Sequence, residues 1–440
     1  MDDIRKVIKT TSPPSVVIQT LRTALQMPPT AARNIVKDLT RPLNGQKRFI
    51  RKFDNEHWKG TLIMSEMVRC DDAIALQRLK KADIVIFEIH GGGFRVGHST
   101  MYMDAFINWL RLMKSKHNLY ACIMSVEYGM FGLAPKHKYP GPLNDCIRAY
   151  DYLTKDLAVC PSKVVFSGDS AGGAFALETL MRTYTPDILD DLNSPRENYS
   201  IPIPAAVLLS SPLVSAETTS ESWKLFHKKD MITLGLAKLI YKEYLGLPHV
   251  KVEDLPVMRL HHVRKDFDRF LPKNVMVFVG DKEVLRDDIL DFAKAVKDDG
   301  KTNIQLIKEH YVHDWFMIRE IVKKKDKKKL ANYDELFVDF AVRAVKEAKA
   351  ALLLSVPPTK EEFPLSEMLI SDNTSINGDI PVNEKIPDNI LATSVINTKF
   401  DTPPFEISEK VQFSRPSQYK PNTILSEYTI ITDHPKGVTA

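Results

Sequence analysis

The sequence predicts an α/β fold, with a mostly parallel sheet covered by helices on both faces. Three observations lead there. Short, almost wholly apolar runs at 83–89, 120–126 and 164–168 read as strands buried on both sides, because a strand with one wet face would alternate apolar and polar residues. Longer stretches at helical spacing, near 102–116 and 143–157, lie between them. The third run leads straight into Ser167-Gly168-Asp169-Ser170-Ala171-Gly172-Gly173, which reads as strand, sharp turn and helix. With 440 residues, 44% of them hydrophobic, the chain can bury a large core, and its length allows one big α/β domain with appendages.

In chain order, residues 1–60 read as a helical segment at the domain edge or in a lid. It is broken by Pro13-Pro14 and Pro28-Pro29 and carries Val17, Ile18, Leu21 and Leu25 at helical spacing. A first part of the core, 61–211, opens with a strand at 61–68. It contains the three buried runs, the turn and its helix through Phe175, Leu177 and Leu180, a proline-punctuated connection at 186–204, and a strand at 205–210. Residues 212–272 are too many for a loop and contain Leu234, Ala237, Ile240, Tyr241, Tyr244 and Leu245 on an amphipathic helix, so they are assigned to a helical cap insertion. The second part of the core, 273–355, holds strands at 275–279 and 304–307 with helices at 285–297 and 333–353. Ten of the 27 prolines fall in the final 84 residues among Ser, Thr, Asn and Asp, which predicts a disordered tail over 356–440.

Charge excludes little by itself, but its distribution is informative. The formal +5 is matched by one run, Lys323, Lys324, Lys325, Asp326, Lys327, Lys328 and Lys329, so the rest of the chain is neutral. A nucleic-acid surface is not expected, since no stretch interleaves aromatic with basic residues. The run reads as a solvated loop, or as a weak contact for anionic membrane surfaces. Cys70, Cys122, Cys146 and Cys160 are scattered, without metal-ligand spacing, as in a reducing compartment. No apolar stretch is long enough to span a bilayer, and the chain opens Met1-Asp2-Asp3 with no apolar run behind it. These features lead to the expectation of a cytoplasmic protein, peripheral to a membrane if the lysine run engages one.

The candidate chemistry centres on Ser170. Gly168 and Gly172 stand two residues to either side, where the turn is too tight for a Cβ, and the helix that follows points its first free N–H groups toward whatever Ser170 attacks. Upstream, His90-Gly91-Gly92-Gly93-Phe94 follows a buried strand, and its bare amides at Gly92 and Gly93, with that of Ala171, form a candidate oxyanion hole. His90 is expected to position this loop. A serine hydroxyl needs a base, and the base needs a carboxylate, in the chain order Ser, acid, His. Candidates for the base are His313 and His310. The acid is sought in Gly280-Asp281-Lys282-Glu283-Val284-Leu285, with Asp287 and Asp288 given to the first helical turn, where they favour the dipole.

Taken together, His-Gly-Gly-Gly and Gly-Asp-Ser-Ala-Gly-Gly resemble the hormone-sensitive-lipase-like family of α/β-hydrolases over roughly residues 60 to 350. A third landmark of the family is matched imperfectly, as Tyr128-Gly129-Met130-Phe131-Gly132-Leu133-Ala134-Pro135-Lys136, and Ala174 stands where the family tends to carry Asn. The resemblance implies His313 as the base, because an aromatic residue follows shortly after it. It implies Glu283 as the acid by the count back from Leu285, with Asp281 the alternative if two residues are inserted. The activity implied is hydrolysis of short or medium acyl esters through an acyl-enzyme, with no metal or organic cofactor. Trp223, Phe226, Tyr241 and Tyr244 of the cap would form an apolar acyl pocket or pack internally. Two other readings are a small-molecule receptor that has lost catalysis on the same fold, and a membrane-associated lipase or steryl-ester deacetylase.

Overall fold

The computed structural model describes residues 11–130, 138–185, 202–245, 251, 255 and 257–355. All of them belong to the first of two compact units, Met1–Glu361; the tail predicted over 356–440, part of the Tyr128 to Lys136 landmark and most of the 186–204 connection lie outside the described residues.

Among the described residues eight strands form one sheet: β1 (Ile50–Asp54), β2 (Lys59–Ile63), β3 (Ile84–Ile89), β4 (Ala121–Val126), β5 (Val164–Asp169), β6 (Ala206–Ser210), β7 (Asn274–Gly280) and β8 (Asn303–Glu309). Their order across the sheet is β1-β2-β4-β3-β5-β6-β7-β8. The pairs β1–β2 and β2–β4 are antiparallel and every other pair is parallel, so the architecture is the mostly parallel α/β sheet the sequence predicts. The inner strands are buried at every position because both faces are covered.

Alternation along β3 shows how. Val85, Phe87 and Ile89 pack on one face with α3 (Asp72–Lys81), α5 (Gly141–Asp151), α6 (Ala171–Tyr184) and α9 (Arg286–Asp299). Ile84 and Ile86 point the other way, toward α4 (Met103–His117) and α10 (Lys327–Ser355), which bring Phe106, Trp109, Phe337 and Phe340. Two helices precede the sheet, α1 (Pro14–Gln26) and α2 (Pro29–Thr40), each opening on a proline that is harmless at a helix start. Two more, α7 (Glu221–Phe226) and α8 (Leu234–Leu245), lie between β6 and β7.

The sequence misses β1 and α3. In Ile50-Arg51-Lys52-Phe53-Asp54 only Phe53 is buried, as suits an edge strand, and its charges read as loop. Helix α3 is short and largely polar; what starts it is Asp71, whose carboxylate accepts the Ile74 N–H at 2.8 Å. The strand predicted at 61–68 is β2, ending at Ile63.

Candidate active site

β5 delivers six buried residues and then turns abruptly. Ser170 has φ 50° and ψ −119°, a conformation costing a non-glycine residue about 1–3 kcal/mol that only surrounding structure can hold. The hold comes from neighbouring backbone: the Ser170 N–H donates to Ser210 O at 2.9 Å, and Ser170 O accepts from the Leu213 N–H at 3.0 Å. The flanking glycines are required by contact. A Cβ on Gly168 would sit 2.6 Å from Gly172 O, and one on Gly172 would sit 2.0 Å from Ile89 O.

The loop after β3 lies against this turn. Asp169 Oδ1 takes the Gly91 N–H at 2.8 Å. Gly92 and Gly93, at φ 112° and 61°, line the same cavity as Ser170 and Ala171. His90 stays within the loop: its ring stacks on Tyr128 at 4.4 Å, its Nδ1 lies 2.8 Å from Gly91 O, and Tyr128 donates its hydroxyl to His90 O at 2.8 Å. Arg95, next along, is 1% exposed. Its guanidinium reaches Glu243 of α8 at 2.7 and 3.1 Å and also donates to the carbonyls of Leu25 and Met27. The loop is thereby tied to both the N-terminal helices and α8.

From the far end of the sheet, the segment after β8 brings His313, whose Nε2 lies 2.9 Å from Ser170 Oγ. Its Nδ1 faces Glu283 Oε1 at 3.6 Å, slightly long for a hydrogen bond. Both atoms are buried and have no other hydrogen-bond partner among the described residues. Glu283 is wholly buried, and its second oxygen accepts from the Ser211 hydroxyl at 2.6 Å and the Gly280 N–H at 2.7 Å. Burial opposes charge on the His313 imidazole, but Glu283 beside it, with Asp230 and Asp169 adding to the negative field, outweighs that and holds its pKa above the ordinary histidine value. The two rivals face each other away from the serine: His310 Nδ1 lies 3.1 Å from Asp281, which is one-third exposed and also near Lys308 and Arg286. Asp287 accepts the Ser222 N–H at 2.7 Å. Asp288 is pushed up to about 7, chiefly by burial and then by Asp287.

Three residues absent from the sequence reading belong to this site. Asp230, fully buried, accepts the His313 N–H at 3.1 Å on one oxygen and the Val284 N–H at 2.9 Å on the other, clamping the acid and histidine loops together. Burial pushes its pKa to about 6 against the opposing pull of His313. Tyr102 and Asp314 line the same cavity as Ser170 and His313. Only a fold shows that residues 83 apart meet, so Asp230 left no local trace.

Above the serine is a cavity of about 140 Å³. Its walls come from α1 and α2 (Leu21, Leu25, Val36) and from α8 (Leu236, Ile240, Tyr241), so the N-terminal helices border the pocket. Of the four cap aromatics, Trp223 and Tyr241 line it. Phe226 instead packs under Arg286 at 5.1 Å, and Tyr244 is stacked on Phe94 at 4.0 Å in the core. Helical spacing alone could not separate these roles. The lysine run follows the lining residues Ile318, Arg319 and Glu320; within it Lys327 donates to Arg319 O and Lys329 pairs with Glu309. Among the described residues there is no group of His, Cys, Asp and Glu that could hold a metal ion, and no helix is long and apolar enough to cross a membrane.

A family model described as the alpha/beta hydrolase fold matches residues 86–317, which include Ser170, Glu283 and His313. Among curated proteins, Lipase 2 of Moraxella sp. (strain TA144) is 26% identical over 244 residues, covering 51% of this chain and 52% of the lipase. The hormone-sensitive lipase of Bos taurus is 24% identical over 184 residues, covering 41% of this chain and 21% of that protein. The chain thus aligns with about half of the one and a fifth of the other. Among solved structures, an esterase from the bacterial hormone-sensitive lipase family superposes with a TM-score of 0.54 at 20% identity, covering 74% of this chain and 98% of that one. With the family match running from β3 past His313, more than half of its length, the chain belongs to the α/β-hydrolase fold family, and its two glycine motifs resemble those of the hormone-sensitive-lipase-like group.

Proposed function

We propose that this protein hydrolyses carboxylic esters of short or medium acyl chains through an acyl-enzyme on Ser170. The observation that carries the reading is the 2.9 Å approach of His313 Nε2 to the hydroxyl of a serine held at φ 50°. His313 takes the Ser170 proton as Oγ attacks the ester carbonyl, and the charge that forms on the carbonyl oxygen is received by the amides of Gly92, Gly93 and Ala171, each contributing about 3 kcal/mol. His313 then gives its proton to the departing alcohol. It next removes one from water, which attacks the acyl carbonyl and returns the serine. Glu283, buried beside Nδ1, holds the tautomer and offsets the positive charge on the ring between the two proton transfers. The apolar walls of the cavity suit an acyl chain better than a charged substrate.

Purified protein is expected to release nitrophenol from acetyl and butyryl esters and to be labelled by a fluorophosphonate at Ser170. Ser170→Ala should lose at least about four orders of magnitude in kcat and all labelling. Hydrolysis surviving in that variant would remove the proposal.

A further inference from the structure

The residue before Ser170 and the residue after His313 are both aspartates, and Asp169 and Asp314 are each 1% exposed. Their carboxyls converge on one phenol: the Tyr102 hydroxyl is 2.7 Å from Asp169 Oδ2 and 3.5 Å from Asp314 Oδ2. The Gly91 N–H occupies the other oxygen of Asp169 at 2.8 Å, and the Ser210 hydroxyl occupies that of Asp314 at 2.7 Å. A phenol has one proton to give, and distance assigns it to Asp169. The contact between that phenol oxygen and Asp314 would then join two acceptors, beside a second carboxylate, with both carboxyls almost wholly buried. Two ionised carboxyls cannot share such a place cheaply, so one of them holds a proton. Asp169 already accepts two hydrogen bonds from fixed donors; Asp314 Oδ2 is the oxygen left to carry it.

We infer that Asp314 holds the single proton of this pair and donates it in a hydrogen bond to Asp169, and that the resulting bridge sets the separation of Ser170 and His313. The inference rests on the ester-hydrolase reading for its kinetic consequence, though not for the bridge itself. Each aspartate is the peptide neighbour of a reacting residue, so a link between them joins the end of β5 to the histidine segment by a route that does not run through the reaction. That matters because the hydrogen bond between His313 and Ser170 must break and re-form at every turnover. A bridge beneath it keeps the two side chains registered while it is broken. Asp314 is further fixed by its own N–H, which donates to Ser211 Oγ at 2.9 Å, the same hydroxyl that holds Glu283. Titration agrees with the placement. Burial, then the neighbouring Asp169 charge, pushes the Asp314 carboxyl well above its usual range, and burial raises the Tyr102 phenol too, keeping it a donor.

The backbone at Asp314 has φ 58°, which glycine accepts without strain and asparagine tolerates, so the carboxyl can be removed without disturbing the turn. Asp314→Gly is expected to lower kcat about tenfold or more with KM changed less than about twofold. Asp314→Asn, whose amide N–H can take over the donor role, should restore most of that loss. In infrared difference spectra at neutral pH, the carbonyl-stretch band of a protonated carboxyl should be present in the wild type and missing in Asp314→Asn. Other buried acids cancel in that difference, and the band reads the bridge even if Asp314→Gly does not fold. Wild-type kcat in Asp314→Gly, an Asn variant as impaired as the Gly variant, or no loss of the band would each overturn the inference. A wild type without esterase activity would instead defeat the functional reading, leaving the band to decide the bridge.

Discussion

The two sides of the serine are built by different means. On the sheet side, Ser170 and Gly92 are placed by backbone geometry within a few residues of a strand end, and the contacts that enforce it are between main-chain atoms, such as Ser170 N–H to Ser210 O. On the pocket side, α1, α2 and α8 come from segments far apart in the chain and are held by side chains, among them the Arg95 to Glu243 pair spanning 148 residues. The first construction leaves no freedom and suits the reacting atoms. The second can change one side chain at a time, and suits the choice of substrate.

If this division is right, damage to each side should leave a different kinetic trace. The largest effect is expected from Glu283→Gln, which leaves the pocket intact while removing the charge that supports the histidine; kcat should fall about a thousandfold with little change in KM. The acid limb of the pH–rate profile should also move. His313 acts as a base only when neutral, and Glu283 contributes to its raised pKa, so the variant's limb should lie at lower pH. An unshifted limb would mean that Glu283 does not face the working imidazole.

A smaller and different effect is expected from Arg95→Met. It leaves the partly buried Glu243 without this partner and takes a donor from the Leu25 and Met27 carbonyls, which should cost about 1–3 kcal/mol of stability. Because this pair joins the glycine loop after β3 to the pocket helices, KM should rise more than kcat falls. A pure loss of kcat would erase the distinction between the two sides.

The smallest effect tests the sheet beneath both. Glu88, wholly buried in the middle of β3, has its pKa pushed from 4.5 to about 8, first by burial and then by Asp169. The folded protein keeps a proton there that the unfolded chain releases. The stability it contributes is therefore complete below about 4.5 and is lost as pH rises through about 8. Glu88→Gln removes this dependence, and melting at alkaline pH should rise by roughly 3 °C relative to the wild type. Equal melting at all pH values would show that Glu88 is ionised in the fold.

The same division explains what the sequence discloses. The turn at Ser170, the glycine loop and the buried strands are written in neighbouring residues, since a tight turn demands glycine and a doubly covered strand demands an unbroken apolar run. His313 and Glu283 could be proposed because they follow strand ends in the order the chemistry requires, with Glu283 preferred to Asp281 only by the count back from Leu285; in the fold Asp281 is one-third exposed beside His310, and Glu283 is wholly buried beside His313. Asp230, Tyr102 and the Arg95 to Glu243 pair left no local signal, for their meaning lies in partners brought close only by folding. Phe226 and Tyr244 show the converse, aromatic residues with the right spacing whose rings pack elsewhere.

The wall formed by Leu21, Leu25 and Val36 joins the sheet through one stretch of chain, between Thr40 and Ile50. Besides that covalent link it is held by side chains, Arg95 on the Leu25 and Met27 carbonyls and Arg22 on the His227 carbonyl. Under the proposed ester-hydrolase reading, substitutions confined to α1 and α2 should change which acyl chains fit while Ser170, Glu283 and His313 keep their places.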